Sequence, residues 1–138
     1  MKCIAITIVL IVCSCSSIAQ SWKELNNEVL ALFDKGEHEK ALSFAEKALV
    51  VAENEFGKEH TNYASNLYNL GKLNEDLGRY TIAEGYYTAL LETRKKMAGE
   101  NHSGYASSCN ALGVLYTKTR QFEKAEIKET RFKDTSDY

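Results

Sequence analysis

The sequence predicts an all-α fold, in which helical hairpins stack into an array behind a short N-terminal leader. The 138-residue chain contains no proline and is rich in Ala, Leu, Glu and Lys, which favour helix. Its apolar residues recur mostly at three- and four-residue steps, and no stretch alternates with the period of two that a strand requires. A block of residues also recurs at an offset of 42. A fixed period of this size indicates like units that stack on one another.

The 42-residue offset relates residues 57–84 to residues 99–126. The matched pairs are Gly57 and Gly99, His60 and His102, Tyr63 and Tyr105, Leu70 and Leu112, Gly71 and Gly113, Leu73 and Leu115, Tyr80 and Phe122, and Ala83 and Ala125. A shorter echo begins at Gly36, which lies 42 residues before Gly78. We therefore expect about three repeats, which is near the minimum for an array that is stable alone.

The first 19 residues differ in kind from the rest of the chain. Lys2 gives a positive start, residues 3–12 form an uncharged apolar run that contains one threonine, Thr7, and the small residues Ser17 and Ala19 precede a cleavage position. This order is typical of a secretory signal peptide, here residues 1–19. The apolar run is about half of the ~20 residues that a membrane-spanning helix needs. We therefore expect an exported protein, periplasmic or secreted, without an integral membrane span.

Three of the four cysteines, Cys3, Cys13 and Cys15, lie in this leader. Ser14 places a small residue before Cys15, so a lipid anchor at Cys15 is the alternative to signal-peptide cleavage. Cleavage would leave only Cys109, which can form no intramolecular disulfide. Because Cys109 falls on the apolar stripe of its expected helix, we expect its thiol to be buried and unreactive.

Capping residues and glycines mark the expected helix ends. Ser21 and Glu24 have the spacing of a capping box, which starts the first helix. Gly36 and Gly78 each follow one helical pattern and precede the next, as C-terminal caps do. The expected helices are 22–35, 38–55, 61–77, 80–97, 103–118 and 121–132. Paired as hairpins, they give repeats of about 22–56, 61–98 and 103–132 in a domain of residues 20–132, with a polar tail at 133–138.

Each hairpin has an apolar face that it cannot bury alone, so the neighbouring repeat must cover it. Small residues recur where two helices need to approach closely, at Ala41, Ala83 and Ala125. Bulky residues recur where a gap has to be filled, at Tyr80 and Phe122. These recurrences predict that the three repeats pack in the same way.

The last expected helix has lost most of its inner face. Lys128, Glu129, Phe132 and Lys133 stand at the positions of Tyr86, Tyr87, Leu90 and Leu91. A polar end that caps the array for solubility would account for this change. Truncation of a longer array would account for it equally well, and the residues leave both accounts open.

The composition and the residue pattern argue against several functional classes. A net charge of −2 and the lack of a basic patch predict no nucleic-acid partner. His60 and His102 stand one repeat apart at helix starts, where we expect them to cap the helix locally. His-Glu-x-x-His does not occur, and no glycine-rich phosphate loop follows a strand. We therefore expect no metal, no cofactor and no enzymatic activity.

The repeated residues resemble the tetratricopeptide repeat (TPR) family. Its first helix carries a large residue, then Leu-Gly, then Tyr, and its second helix carries an early Ala followed by an aromatic residue. The residues that follow this pattern are Leu67, Leu70, Gly71, Ala83 and Tyr87, and then Leu112, Gly113, Tyr116 and Ala125. The departures are Val29, Asn74, Cys109 and Glu129. The 42-residue period, with Gly-x-x-His before the first helix, is similar to the kinesin-light-chain type of this family.

This resemblance implies that the first helix of each repeat lines a concave groove that holds a protein or peptide partner. On that register the candidate binding residues are Asn27, Tyr68, Asn69, Lys72 and Asn110, and the neighbouring positions are Asn26, Ala111 and Val114. Asparagine suits such a site because its amide both donates and accepts, so it can pair with an extended peptide backbone. The alternative is that these asparagines belong to an ordinary solvated helix face.

The expected function is therefore that of an exported TPR protein-interaction module, a scaffold or adaptor that acts without a cofactor. One alternative is a structural envelope component that self-associates through its terminal repeat. Another is the truncated N-terminal part of a larger TPR-containing signalling or enzymatic protein. Repeat arrays share a fold but not a function, so the sequence does not identify the partner.

Overall fold

The computed structural model describes residues 20–134, with the backbone alone described for residue 122 and for residues 124–134. Within this range the chain is all-α, as predicted, and contains no strand. The helices are α1 (Trp22–Asp34), α2 (His38–Phe56), α3 (Thr61–Asp76), α4 (Tyr80–Ala98) and α5 (Ser103–Asp134). The leader, with Cys15 and the cleavage position after Ala19, lies outside the described residues. None of the helices within 20–134 has the length and apolar character that crossing a membrane requires.

Each helix packs against the next one along the chain. One core cluster joins α1, α2 and α3 and includes Val29, Ala45 and Leu70. A second cluster joins α3, α4 and α5 and includes Leu67 and Leu115. Because α3 contributes to both clusters, it ties the two halves of the array into one continuous core.

The buried face of α2 is made of alanines. Ala41, Ala45, Ala48 and Ala52 recur at helical spacing, and each is fully buried. Such short side chains let the neighbouring helices approach α2 closely. Ala83 of α4 is buried as well, which confirms the expected role of the repeated alanine. The side chain of Ala125 lies outside the described part of the structure.

The predicted helix ends are confirmed for the first four helices. The amide of Glu24 donates to Oγ of Ser21, and the Ser21 amide donates to Oε2 of Glu24, which completes the capping box. Gly36 and Gly78 have φ values of 74° and 73°. This left-handed conformation strains any residue with a Cβ, and it is why glycine closes both hairpin turns.

The predicted break between a fifth and a sixth helix is wrong. Helix α5 runs for 32 residues without interruption, so the third repeat is one long helix rather than a hairpin. Arg120 stands where the first two repeats have Gly36 and Gly78. Arginine favours helix and resists the left-handed conformation, so nothing at this position ends α5.

The first two repeats fill the same gap with different residues. In the second repeat, a Cβ added to Gly71 would lie 2.5 Å from Cε1 of Tyr87, so the ring takes the space of the missing side chain. The equivalent pair in the first repeat is Val29 and Ala45, which are both buried in one cluster. In the first repeat the larger residue, Val29, is on the first helix, and in the second repeat the larger residue, Tyr87, is on the second helix. The space between the two helices of each hairpin is therefore filled in both repeats.

The histidines at two helix starts behave as predicted, and Cys109 does not. Nδ1 of His60 accepts from the amide of Asn62 at 3.1 Å, and Nδ1 of His102 accepts from the amide of Gly104 at 3.1 Å. Cys109 is exposed rather than buried. Its equivalent in the second repeat, Leu67, is covered by the next helix, whereas no described helix covers this side of α5.

Candidate protein-interaction surface

The first helices of the repeats, α1, α3 and α5, form two neighbouring clefts. The α1–α3 cleft has a volume of about 230 Å³. Its lining residues are Val29, Leu30, Phe33, Tyr68, Asn69 and Lys72. The α3–α5 cleft has a volume of about 220 Å³. Its lining residues are Tyr68, Lys72, Glu75, Tyr87, Ser107, Asn110, Ala111, Val114 and Lys118. We call the surface formed by both sets of residues the groove.

Two side chains belong to both clefts and make the groove continuous. Tyr68 and Lys72 stand one turn apart on α3, and each lines the α1–α3 cleft and the α3–α5 cleft. Tyr68 is 41% exposed. Its ring lies 6.1 Å from the ring of Tyr87, centroid to centroid, in a tilted arrangement. A ligand that lies along the groove would therefore cross Tyr68 and Lys72.

The α1–α3 cleft is mainly apolar. Val29 and Phe33 form its inner side, and Leu30 at its edge is 49% exposed. An exposed leucine beside a cleft of this kind offers a place for an apolar side chain of a partner. At the same edge, Nδ2 of Asn69 donates to Oδ1 of Asn26 at 3.2 Å, so the Asn69 amide is already engaged across the two helices.

The α3–α5 cleft has a charged floor centred on Glu75, which is only 6% exposed. Oη of Tyr87 donates to Oε2 of Glu75 at 2.8 Å, and Nζ of Lys118 pairs with Oε1. Nζ of Lys72 lies 3.8 Å from Oε1 of Glu75 and 2.7 Å from Oδ1 of Asp76. A buried carboxylate thus holds two ammonium groups at the cleft, one from α3 and one from α5.

The environment of these groups shifts their pKa values toward the charged forms. Burial would raise the pKa of Glu75, but hydrogen bonds from Lys118 and Tyr87, with the charge of Lys72, outweigh it and hold that pKa below its usual range. Burial would lower the pKa of Lys72, but the hydrogen bond to Asp76 and the charge of Glu75 raise it. Burial and the hydrogen bond to Glu75 raise the pKa of Tyr87. Glu75 and Lys72 are therefore charged at neutral pH.

The structure brings four of the five sequence-derived candidates together. Tyr68, Asn69, Lys72 and Asn110 all line the groove. Asn27 is exposed and lies outside the residues that line either cleft. Whether any of these side chains contacts a partner stays a prediction.

Two charged residues of the groove were not anticipated from the sequence. Glu75 and Lys118 are far apart in the chain, and their pairing depends on how α5 stacks on the preceding hairpin. A local signal did exist for each of them. Glu75 follows Tyr68 and Lys72 on one face of α3 at helical spacing, and Lys118 follows Val114 in the same way on α5.

Stacked helices with a side-chain-lined groove along their first helices define a helical-repeat interaction protein. A sequence model of the tetratricopeptide repeat family matches residues 24–96. The chain belongs to this family, and the repeats are of the kinesin-light-chain-like type that the 42-residue period indicates.

Among solved structures, the chain is similar to the crystal structure of BtubC (BKLC) from P. vanneervenii, a kinesin light chain-like TPR protein. The two are 29% identical, with a TM-score of 0.67 over 80% of this chain. The match spans 43% of BtubC, so this chain covers less than half the length of that relative. A search of curated proteins finds no match.

Proposed function

We propose that this protein is an exported TPR module that binds a segment of a partner protein along the groove. The observation that carries the proposal is the position of Tyr68 and Lys72, which line both clefts and join them into one surface. Membership of the TPR family supports a role in protein interaction. The leader of residues 1–19 supports export. The proposed role requires neither a cofactor nor a catalytic step.

The chemistry of the groove suits a segment with an apolar side chain next to hydrogen-bond acceptors. The apolar side chain would enter the α1–α3 cleft beside Leu30 and Tyr68. Acceptors of the segment, either carboxylates or backbone carbonyls, would meet the ammonium groups of Lys72 and Lys118, each of which has donors left after its pairing with the floor. Asn110 would supply an amide for the backbone of the segment.

A random peptide library selected on the immobilised chain tests this proposal. We expect enriched peptides to combine a bulky apolar residue with a nearby acidic one, and fluorescence polarisation gives their affinities. Tyr68→Ala should weaken binding about tenfold or more, which is about 1.4 kcal/mol. Phe56→Ala is the matched control, because Phe56 is 42% exposed, much like Tyr68, and lies outside the groove.

Two results decide the outcome. Loss of affinity in Tyr68→Ala with normal affinity in Phe56→Ala supports the groove. Equal affinities of both variants and the parent chain would place the binding site elsewhere and refute the proposal. Asn110→Ala then tests the amide hypothesis better than Asn69→Ala, because Asn69 also ties α3 to α1 through Asn26.

Self-association is a second candidate function, and one observation favours it. A Cβ at Gly113 would have no heavy atom of the described residues within 4 Å, whereas the equivalent Gly71 is covered by Tyr87. One side of α5 is thus open where the preceding repeat is closed. A structural or assembly role would use this open side, and a place within a longer signalling or enzymatic chain would cover it with a further helix.

A further inference from the structure

Among the described residues, none covers the outer side of α5 in the way that α4 covers the same side of α3. Leu67 and Asn74 of α3 are buried, at 3% and 2% exposure. Their equivalents one repeat later, Cys109 and Tyr116, are both exposed. Gly113 shows the same change relative to Gly71, which is buried. We call this side of α5, formed by Cys109, Gly113 and Tyr116, the Gly113 face.

The edge of α5 that faces the preceding hairpin stays covered. Leu115 is 1% exposed, and its equivalent Leu73 is fully buried. On the same edge, Ser108 is buried and accepts from Nη1 of Arg94 on α4 at 3.1 Å. Helix α5 is therefore docked on the preceding hairpin much as α3 is, and the Gly113 face continues the packing surface of the array.

The chain itself contains part of the sequence of a covering helix, although Lys128, Glu129 and Lys133 replace three of the inner-face residues of α4. Helix α4, which covers Gly71, begins with Tyr80 and Ala83, and their equivalents are Phe122 and Ala125. In this chain, however, those residues belong to α5 itself, because α5 passes through Arg120 without a break.

A straight helix cannot pack against its own side. The equivalent of Tyr87 is Glu129, which lies 16 residues beyond Gly113 and so about 24 Å farther along the same axis. Residues 121–134 can therefore reach a Gly113 face only if that face belongs to another chain.

We propose that a second copy of this protein covers the Gly113 face. In a two-fold symmetric dimer, residues 121–134 of each α5 lie on the Gly113 face of the other chain, and the two α5 helices run antiparallel. In this arrangement, position 129 of the partner's helix lies opposite Gly113, as position 87 of α4 lies opposite Gly71. Residue 121 is the midpoint between positions 113 and 129, so the two-fold axis passes beside residue 121 of both α5 helices. The interface uses the same patch on both chains, which lets the assembly close at two.

The first test is sedimentation velocity over a hundredfold range of concentration. The sample is the protein purified from its own cells, after any processing of the leader. We expect a dimer that dissociates on dilution. Gly113→Gln should raise the dissociation constant of the dimer at least about tenfold, because the new side chain occupies the space in which the partner's helix would pack. The variant should still fold, since the position is open within one chain and glutamine favours helix more than glycine. Gly85→Gln is the matched control, because Gly85 is also a helical glycine with open space at Cβ.

The second test restores the missing turn. Arg120→Gly places glycine where the first two repeats have it, so residues 121–134 should fold back onto their own Gly113 face and give a monomer. Arg120→Ala removes the same side chain but keeps a strong helix former, and it should remain dimeric.

A parent chain that is monomeric at every concentration would overturn the proposal. A dimer that survives both Gly113→Gln and Arg120→Gly would also overturn it, because the second copy would then bind elsewhere. Peptide binding in the groove is measured separately on Gly113→Gln, so failure of the dimer and failure of the groove proposal are distinguishable.

Discussion

The ring of Tyr87 occupies the space that a side chain at position 71 would need. Cε1 of Tyr87 would lie 2.5 Å from a Cβ at Gly71, which is closer than two non-bonded carbons can approach. In the third repeat, the equivalent glycine, Gly113, has open space around it. The two glycines have the same place in the repeat but different surroundings. Close packing by Tyr87 requires glycine at position 71, whereas Gly113 has no packing partner among the described residues.

We expect Gly71→Ala and Gly113→Ala to change stability in opposite directions. Gly71→Ala forces Tyr87 out of its position and should cost about 1–3 kcal/mol of unfolding free energy. Gly113→Ala meets no described neighbour within one chain, so at concentrations where the chain is monomeric it should stabilise the fold by about 0.5–1 kcal/mol through helix propensity. Urea unfolding followed by circular dichroism measures both. If both variants shifted the midpoint in the same direction, the packing of Tyr87 on Gly71 would not be the cause.

The exchange between Val29–Ala45 and Gly71–Tyr87 predicts a coupled pair of substitutions. Ala45→Tyr alone overpacks the first repeat, and Val29→Gly alone leaves a cavity and weakens α1, so each should destabilise the chain. The double variant places the second repeat's pair in the first repeat. Its loss of stability should be smaller than the sum of the single losses by at least about 1 kcal/mol. Additive losses in thermal and urea unfolding would show that the two positions do not share one space.

Glu75 should make stability depend on pH in the acid range. The pKa of Glu75 in the folded chain lies below the ordinary pKa of a glutamate, about 4.3. Its contribution is therefore present above that ordinary value and is lost as the pH falls through the folded pKa. Glu75→Gln should therefore cost about 1–3 kcal/mol at neutral pH, because Lys118 and Tyr87 lose a charged partner.

The difference between Glu75→Gln and the parent chain should then shrink as the pH is lowered through the folded pKa of Glu75. Urea unfolding at pH 7 and at pH 3 measures it. Glu28→Gln, on an exposed position of α1, is the matched control and should differ little from the parent chain at either pH. A difference for Glu75→Gln that stays constant with pH would mean that the charge of Glu75 does not stabilise the fold.

The leader predicts a defined mature N-terminus. Mass spectrometry of the protein from its own cells should find a chain that begins at Gln20. Cys15→Ser should leave this product unchanged. A lipid-modified chain that begins at Cys15 would establish the alternative anchor, and an intact chain that begins at Met1 and stays inside the cell would contradict export.

Local turn chemistry explains why most helix limits were predictable. Gly36, Gly57, Gly78 and Gly99 all adopt positive φ, and each stands where the apolar periodicity is interrupted. The predicted break near residue 120 is wrong because the repeat continues in the sequence while the glycine that closes the first two hairpins, Gly36 and Gly78, is absent from the third. Arg120 was visible in the sequence, and its difference from Gly78 was the signal of a continuous α5.

Features that depend on stacking could not be predicted from the sequence in the same way. Cys109 has the position of Leu67, but its burial depends on a covering helix that the described part of the chain does not supply. Tyr68 and Lys72 were placed in the groove by the repeat register. The pairing of Glu75 with Lys118 requires the relative position of two helices in different repeats, which periodicity alone does not contain.

Helix α3 forms a wall of both clefts, and this has a consequence for how a ligand would bind. A fragment that occupies one cleft must fix the side chains of Tyr68 and Lys72, which also face the other cleft. A second fragment would then find them already ordered, so part of its entropic cost is absent. Two fragments, one for each cleft, should therefore bind cooperatively. Each should raise the affinity of the other by the same factor, whichever of the two binds first.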